Sequence, residues 1–481
     1  MYLLQCKLLP VATRLAEDRA ASVRLAVAAQ CDRLCAALGD HWFAVIIDLL
    51  QALLGDPDER VRSEAVLCLP RLAENVLTSA VEQNAKRGVS VLESLLPHMQ
   101  KLAKDPSSSV RAALATSSGE LLTLLVGLSV VTELDEGTQN KYAEFKEHLR
   151  HVDEMLIPLA QQLLNDKDVE VTSAALRAVT NASRGNVKEL RSRLPGRNNS
   201  VSLLQFNSSR DLDLPQSPKA GRIENQPVVV PVLSEHQILR LLPTLTDLSN
   251  SPLWRVRQSA VEVVPALLGC TQQLPTRTAI AQLCVTLMGD SVDAVRKTAA
   301  ECLCLGGGSL GGNGGGEWLH EIVLPVLDKC RQSELSKQRL LCLKMIEVLI
   351  KKQVCACSEA RSCSSRSVTS TPEKSSLRDL LEMASSLSSD KTVNVRLNVG
   401  RVLGDVVDEC SSSRENIEFI IRSLEELLDS ESSRAGGGDR DVLYFTECSL
   451  SRAQRALETE TSVYLHSSST PPRRRLALAE I

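Results

Sequence analysis

Aromatic side chains are scarce in this chain: Phe, Trp and Tyr together make up 2% of 481 residues. That scarcity argues against an aromatic-lined ligand pocket and against a β-sandwich core, both of which draw on large rings. The hydrophobic fraction is nevertheless 43%, so the core must be built from Leu, Val and Ala, which suits helix-on-helix packing. A charge excess is also missing. The 55 basic and 59 acidic residues leave a net charge of -4, with no global basic field for nucleic acid. No apolar run reaches the ~18 residues that a membrane span needs, and "MYLLQCKLLPVA" is interrupted by Gln5 and Lys7 and lacks a cleavage site. The Gly-rich stretch "GGGSLGGNGGGE" lacks the Gly-Lys-Ser/Thr ending of a phosphate loop. No nucleophile stands beside a base, and the seven His are dispersed. His148 and His151 lie three apart but are flanked by Lys146 and Arg150, the setting of surface histidines. These absences predict a non-enzymatic protein without catalytic residues, bound metal or cofactor.

Fifteen Cys are present, mostly inside apolar helical runs, as at Cys31, Cys35, Cys302 and Cys304. With no signal peptide ahead of them they are expected to be reduced core thiols of a cytoplasmic or nuclear protein. Cys355, Cys357 and Cys363 cluster in "CACSEARSC", but three thiols without a nearby fourth ligand are weak evidence for zinc and are expected to be loop thiols.

What the chain does have is self-similarity. "DRAASVRLAV" from Asp18, "DPDERVRSEA" from Asp56, "DPSSSVRAAL" from Asp105, "DSVDAVRKTA" from Asp290 and "DKTVNVRLNV" from Asp390 each read Asp, four variable residues, then Val-Arg. "DKDVEVTSAA" from Asp166 carries Thr172 in place of Arg, and Ser251 stands where Asp belongs ahead of Val256-Arg257. Pro10, Pro97, Pro158 and Pro243, each after two aliphatic residues, lie thirteen residues before Val23, Val110, Val171 and Val256; the same step from Pro325 reaches Gln338, beside Arg339. Anchors at 23, 61, 110, 171, 256, 295, 338, 395 and 442 give nine repeats, several of them 38 to 49 residues apart. That period fits two helices per unit. The Pro-bearing first helix loses one backbone donor and bends. The Asp opens a short turn, and the second helix starts near Val-Arg. A single hairpin cannot bury its apolar face, whereas stacked neighbours can, so the expected fold is an all-α solenoid. Asp and Arg of successive turns are expected to form a ladder of exposed pairs, each contributing ~0.2–1 kcal/mol and setting register more than stability.

The expected boundaries are repeats 1–4 over 1–184, a disordered Ser/Pro-rich insertion over 185–235, repeats 5–9 over 236–457 with flexible insertions at 306–316 and 355–376, and a disordered tail over 458–481. Ser217-Pro218, Thr371-Pro372 and Thr470-Pro471 are candidate phosphorylation sites, and Arg473, Arg474 and Arg475 read as a solvated tail.

The pattern resembles HEAT repeats. "LLPTLTDLSNSPLWRVRQSAVEVVPALLG", "LCVTLMGDSVDAVRKTAAECL", "EWLHEIVLPVL", "NVRLNVGRVLGDV" and "DRDVLYF" follow in the order in which similar segments occur in the scaffold (A) subunit family of protein phosphatase 2A, most closely from Leu241 to Phe445. That family carries about fifteen repeats, and the present nine resemble its C-terminal part. The chain opens on an apolar helix without a polar capping repeat, which points to a truncated gene model or to another surface covering that end. The resemblance implies a scaffold that joins a serine/threonine phosphatase catalytic subunit to a regulatory B-type subunit in a hetero-oligomer, with no nucleic acid or membrane partner.

One residue sharpens that reading. In a solenoid, equivalent turns line up along a ridge, and the two residues before each Val anchor are displayed there. Only one of the three Trp, Trp254, falls at such a position; Trp42 and Trp318 start first helices after Gly-containing breaks and are expected to pack between helices. Trp and Arg dominate interface hot spots. Trp254 is therefore read as a partner contact, the other possibility being a ring folded back on Pro252. The resemblance implies that Trp254, Arg255 and Arg257 hold the catalytic subunit, with Asp293, Ser336, Asn394 and Arg396 at later positions. Asp293 and Ser336 replace aromatic residues found in the family's intervening turns. Rival readings are a tubulin-binding cytoskeletal module and a transport adaptor of the same repeat class; Asp293 interrupts the basic series that the tubulin reading needs.

Overall fold

The computed structural model describes residues 7–38, 43–75, 85–133, 154–183, 233–271, 273–306, 318–361, 373–411, 413–434 and 437–467, and all regular structure among them is helical. The core of the 185–235 insertion, the Gly-rich stretch from 307, the three candidate phosphorylation sites, Trp42, His148, His151 and Arg473 to Arg475 lie outside the described residues.

Every repeat anchor sits in the first turn of a second helix. These begin at Ala21, Glu59, Ser108, Val169, Trp254, Asp293, Ser336, Val393 and Arg440, two residues before each anchor. Val61, Val110, Val171, Val256, Val295, Val395 and Val442 are buried, which explains why a β-branched residue recurs there: it is the first side chain of the second helix to enter the core. The chain folds as HEAT-type helix hairpins. The prolines lie in the first helices, as at Pro97 in Ala85–Leu102 and Pro243 in Glu235–Ser249. Before Pro325 the helix widens into a π turn, Leu319–Val323, accommodating the missing donor.

The chain divides into two compact units, Met1–Leu283 and Cys284–Ile481. In the first unit the second helices of repeats 3 and 4 touch backbone to side chain: a Cβ on Gly119 would lie 2.5 Å from the Ala178 Cβ. Repeat 5 lies against repeat 4 through Gln161, which donates to the Arg240 carbonyl, and through Cys270, which meets the Ser183 carbonyl. In the second unit the same close approach recurs where Gly404 meets Ser449 and Gly400 meets Thr446. Trp318 is buried there, its indole N–H donating to the Leu303 carbonyl, as expected for an inter-helix Trp. The second helix of repeat 7 runs to Arg361 and that of repeat 9 to Ser467, beyond the ends the sequence suggests.

Ten of the described thiols are buried. Burial pushes Cys31, Cys342 and Cys410 up to about 12, so these sulfurs are protonated packing groups.

Candidate functional site

The turns between paired helices share one hydrogen-bond scheme. Asp56 Oδ1 accepts the amide N–H two residues on, at Asp58; Asp105, Asp166, Asp290 and Asp390 do the same. Where an Arg follows the anchor, it reaches back with Nη1 to the carbonyl six residues earlier, as Arg62 does to Asp56. In five of these repeats its Nε and Nη2 then grip a carboxylate of the following repeat. Arg24 holds Asp56, Arg62 holds Asp105, Arg111 holds Asp166, Arg339 holds Asp390 and Arg396 holds Glu431, each through two bonds of 2.5–3.0 Å.

The ladder is thus present, but not as the exposed pairs expected from sequence. The Arg396 and Glu431 side chains are 4% and 1% exposed, and the other four rungs are similarly enclosed by the repeats they join. Burial raises the Asp56 and Asp166 carboxyls, yet the bonds from Arg24 and Arg111 and from backbone amides outweigh it, so both settle below the usual carboxylate range. Glu431 is held low chiefly by Arg396. The sequence does not signal Glu431, since it lies eight residues before the final Asp439. Gly437 and Gly438, both at positive φ, fold Asp439 back so that its amide donates to Glu431.

This scheme separates the expected site residues. Arg396 belongs to the ladder: it is 3% exposed with its whole donor edge spent on Glu431 and the Asp390 carbonyl, which corrects its reading as a displayed contact. Arg257 occupies the same ladder position and donates to the Ser251 and Pro252 carbonyls. Trp254 and Arg255 are displayed. Trp254 opens its helix, is 39% exposed and makes no hydrogen bond among the described residues, with the Arg255 guanidinium 5.4 Å from its ring centroid. The ring does not fold into the core. Its neighbour Leu253, 49% exposed, extends the same apolar patch, and the equivalent Leu335 in the second unit is 55% exposed. Sequence reasoning passed over both, because it counted only two residues back from each anchor.

Two grooves run between second helices. In the first unit a groove of about 720 Å³ separates repeats 4 and 5, lined by Val169, Glu170, Ser173 and Arg177 on one wall and Trp254, Arg255, Gln258 and Glu262 on the other. Burial raises the Glu262 carboxyl. In the second unit a groove of about 510 Å³ crosses repeats 6, 7 and 8 and brings together Asp293 and Asn394. Ser336 is partly exposed and does not line it, whereas the adjacent Lys337 does. Both grooves open beside repeat joints that lack an Asp or Glu rung: Thr172 and Ser251 at repeats 4 and 5, Ser333 at repeats 6 and 7. Such surfaces offer rings, amides and charges to a protein partner. No group of three or more His, Cys, Asp or Glu among the described residues is placed to hold a metal, and no described helix is long and apolar enough to cross a membrane.

The family model described as "PIK3R4-like, middle domain" matches residues 40–184, under a third of the chain. No curated protein matches the sequence. Among solved structures, the karyopherin Kap121p is similar in fold, once bound to Pho4p and once bound to the extreme C-terminus of the protein phosphatase Cdc14p. Both share 13% identity at a TM-score of 0.50, cover 97% of this chain, and are themselves covered to 45% and 44%. Kap95p, in its complex with RanGDP, is 13% identical with a TM-score of 0.44, with 97% of this chain and 54% of that chain covered. The chain spans about half the length of these karyopherins, and the likeness to Kap121p shows a HEAT-repeat solenoid fold.

Proposed function

We propose that this chain is a non-catalytic scaffold that carries a serine/threonine phosphatase catalytic subunit of the 2A type and docks a regulatory B-type subunit or substrate on other repeats. Its mechanism is positional: tethering a substrate beside a bound active site raises the effective concentration that the active site meets. The observation that carries the reading is Trp254, a large ring displayed at the start of a second helix with Arg255 beside it and no internal use for either polar group among the described residues. An exposed Trp-Arg pair flanked by a groove is the composition of a binding hot spot, and its desolvation by a partner is favourable. The ordered sequence resemblance from Leu241 to Phe445 supplies the class of partner.

The test is capture of the purified chain by an immobilised 2A-type catalytic subunit. Trp254→Ala removes a hot-spot ring worth about 2–4 kcal/mol, a loss of roughly 30-fold or more in affinity, and Arg255→Ala acts in the same direction. Because the ring is outside the core, the melting temperature of Trp254→Ala stays near that of the parent. A folded Trp254→Ala chain captured as well as the parent would overturn the assignment.

A further inference from the structure

We infer that the groove over repeats 6 to 8 binds an acidic peptide segment, and that Arg296 receives its carboxylate. The inference starts from a seat that the fold builds repeatedly. At five rungs an Arg presents Nε and Nη2 to the turn of the next repeat, and Asp or Glu in that turn takes both. Arg296 stands at the same position: Nη1 donates to the Asp290 carbonyl at 2.9 Å, as at the other rungs. The facing turn is also built alike, its Ser333 Oγ accepting the Leu335 amide just as each Asp accepts the amide two residues on. The difference is chemical. Serine has no carboxylate to offer, so Arg296 swings Nη2 to Asp293 of its own helix at 2.8 Å, and its Nε makes no hydrogen bond among the described residues.

That donor edge lines the 510 Å³ groove, and the charge around it is unbalanced in favour of an anion. Asp293 is shared between Arg296 and Lys297, at 2.8 and 2.7 Å. Lys337 makes no ion pair among the described residues and lines the same groove. The lining as a whole holds four cations, Arg296, Lys297, Lys337 and Lys344, against three carboxylates, and two of those, Glu301 and Glu347, already pair with Lys344 away from the Arg296 edge. Leu340 and Leu341 supply an apolar surface in the same groove, and Asn394 a side-chain amide on its far wall. A Glu or Asp next to an apolar side chain matches this set: its carboxylate completes the rung missing at Arg296 through charge-assisted bonds, and its neighbour covers the leucines. The proposal rests on the reading of the chain as a partner-binding scaffold but not on the partner being a phosphatase.

The same geometry supplies the test. Ser333→Asp places the missing carboxylate within the chain, blocking the seat without removing a cation. Two pools of short peptides with randomised apolar-rich flanks, one with a central Glu and one with a central Gln, are passed over the immobilised full chain. The parent retains the Glu pool about tenfold or more over the Gln pool, as expected for one charged bidentate contact. Ser333→Asp retains the two pools equally while melting no lower than the parent. Arg296→Gln, which removes the receiving edge, loses the same preference and serves if Ser333→Asp does not fold. Equal retention of both pools by the parent, or an undiminished Glu preference in folded Ser333→Asp or Arg296→Gln, overturns the proposal. None of these outcomes alters the capture experiment with the catalytic subunit, so the two readings fail separately.

Discussion

Replacing Glu431 by Gln tests whether the ladder stabilises the solenoid or merely decorates it. Glu431 is 1% exposed and accepts from Arg396 Nε at 2.7 Å, from Arg396 Nη2 at 3.0 Å and from the Asp439 amide at 3.0 Å, with Arg434 at 3.2 Å. Gln conserves the shape but removes the charge, and its NH2 group faces an Arg edge that also donates. A buried guanidinium without a counter-ion costs about 3–5 kcal/mol, against ~0–1 kcal/mol for an exposed pair. Because a repeat array is stabilised mainly by nearest-neighbour contacts, the loss concentrates in the last two repeats. Urea titration followed by circular dichroism reads the magnitude. Amide exchange across Val393–Asp405 and the start of Arg440–Ser467 reads the place. The double variant Arg396→Met, Glu431→Leu removes both charges and is expected to recover most of the loss. A Glu431→Gln loss below ~1 kcal/mol, or a double variant no better than the single, refutes the argument. The sign with pH follows from the same contacts. The folded Glu431 and Asp390 carboxyls lie below their ordinary range, Asp390 because Arg339 and the Thr392 amide outweigh its burial. Their stabilisation is therefore complete above the unfolded value of about 4 and is lost as pH falls below it. The melting temperature is expected to hold at neutral pH and drop below about pH 4, less steeply in Glu431→Gln.

Two further outcomes follow from packing. Gly404→Val pushes a branched side chain toward Ser449, whose Oγ already lies within contact of the site where a Cβ would stand; it is expected to cost several kcal/mol in urea titration, and a loss under ~1 kcal/mol would show that the two second helices part easily. Under native conditions a maleimide reagent followed by mass spectrometry is expected to label the exposed Cys448 well before Cys31, Cys342 or Cys410, whose protonated sulfurs are enclosed; early labelling of those three would contradict the helix stacking.

The sequence alone determined the period, the helix pairs and the register. A Val at the first inward position of most second helices, in four repeats thirteen residues after a Pro that follows two aliphatic residues, is a local constraint, and local constraints are legible along a chain. It also marked Trp254 as a displayed ring, because a position two residues before an inward anchor lies at the outer start of the second helix, and Trp254 is 39% exposed there. Only the tertiary structure decided what the arginines do. Val256-Arg257, Val295-Arg296 and Val395-Arg396 read alike in sequence, yet Arg396 is sealed into an ion pair while Arg296 turns toward its own helix. That outcome depends on a residue 35 positions away in one case, Glu431, and on Ser333 in the next turn in the other. It also required Gly437 and Gly438 to bend the chain so that Glu431, not Asp439, takes the last rung. Whether a charged side chain is a contact or a strut is set by what the neighbouring repeat places opposite it, and that partner is defined by stacking in space, not by adjacency in the chain.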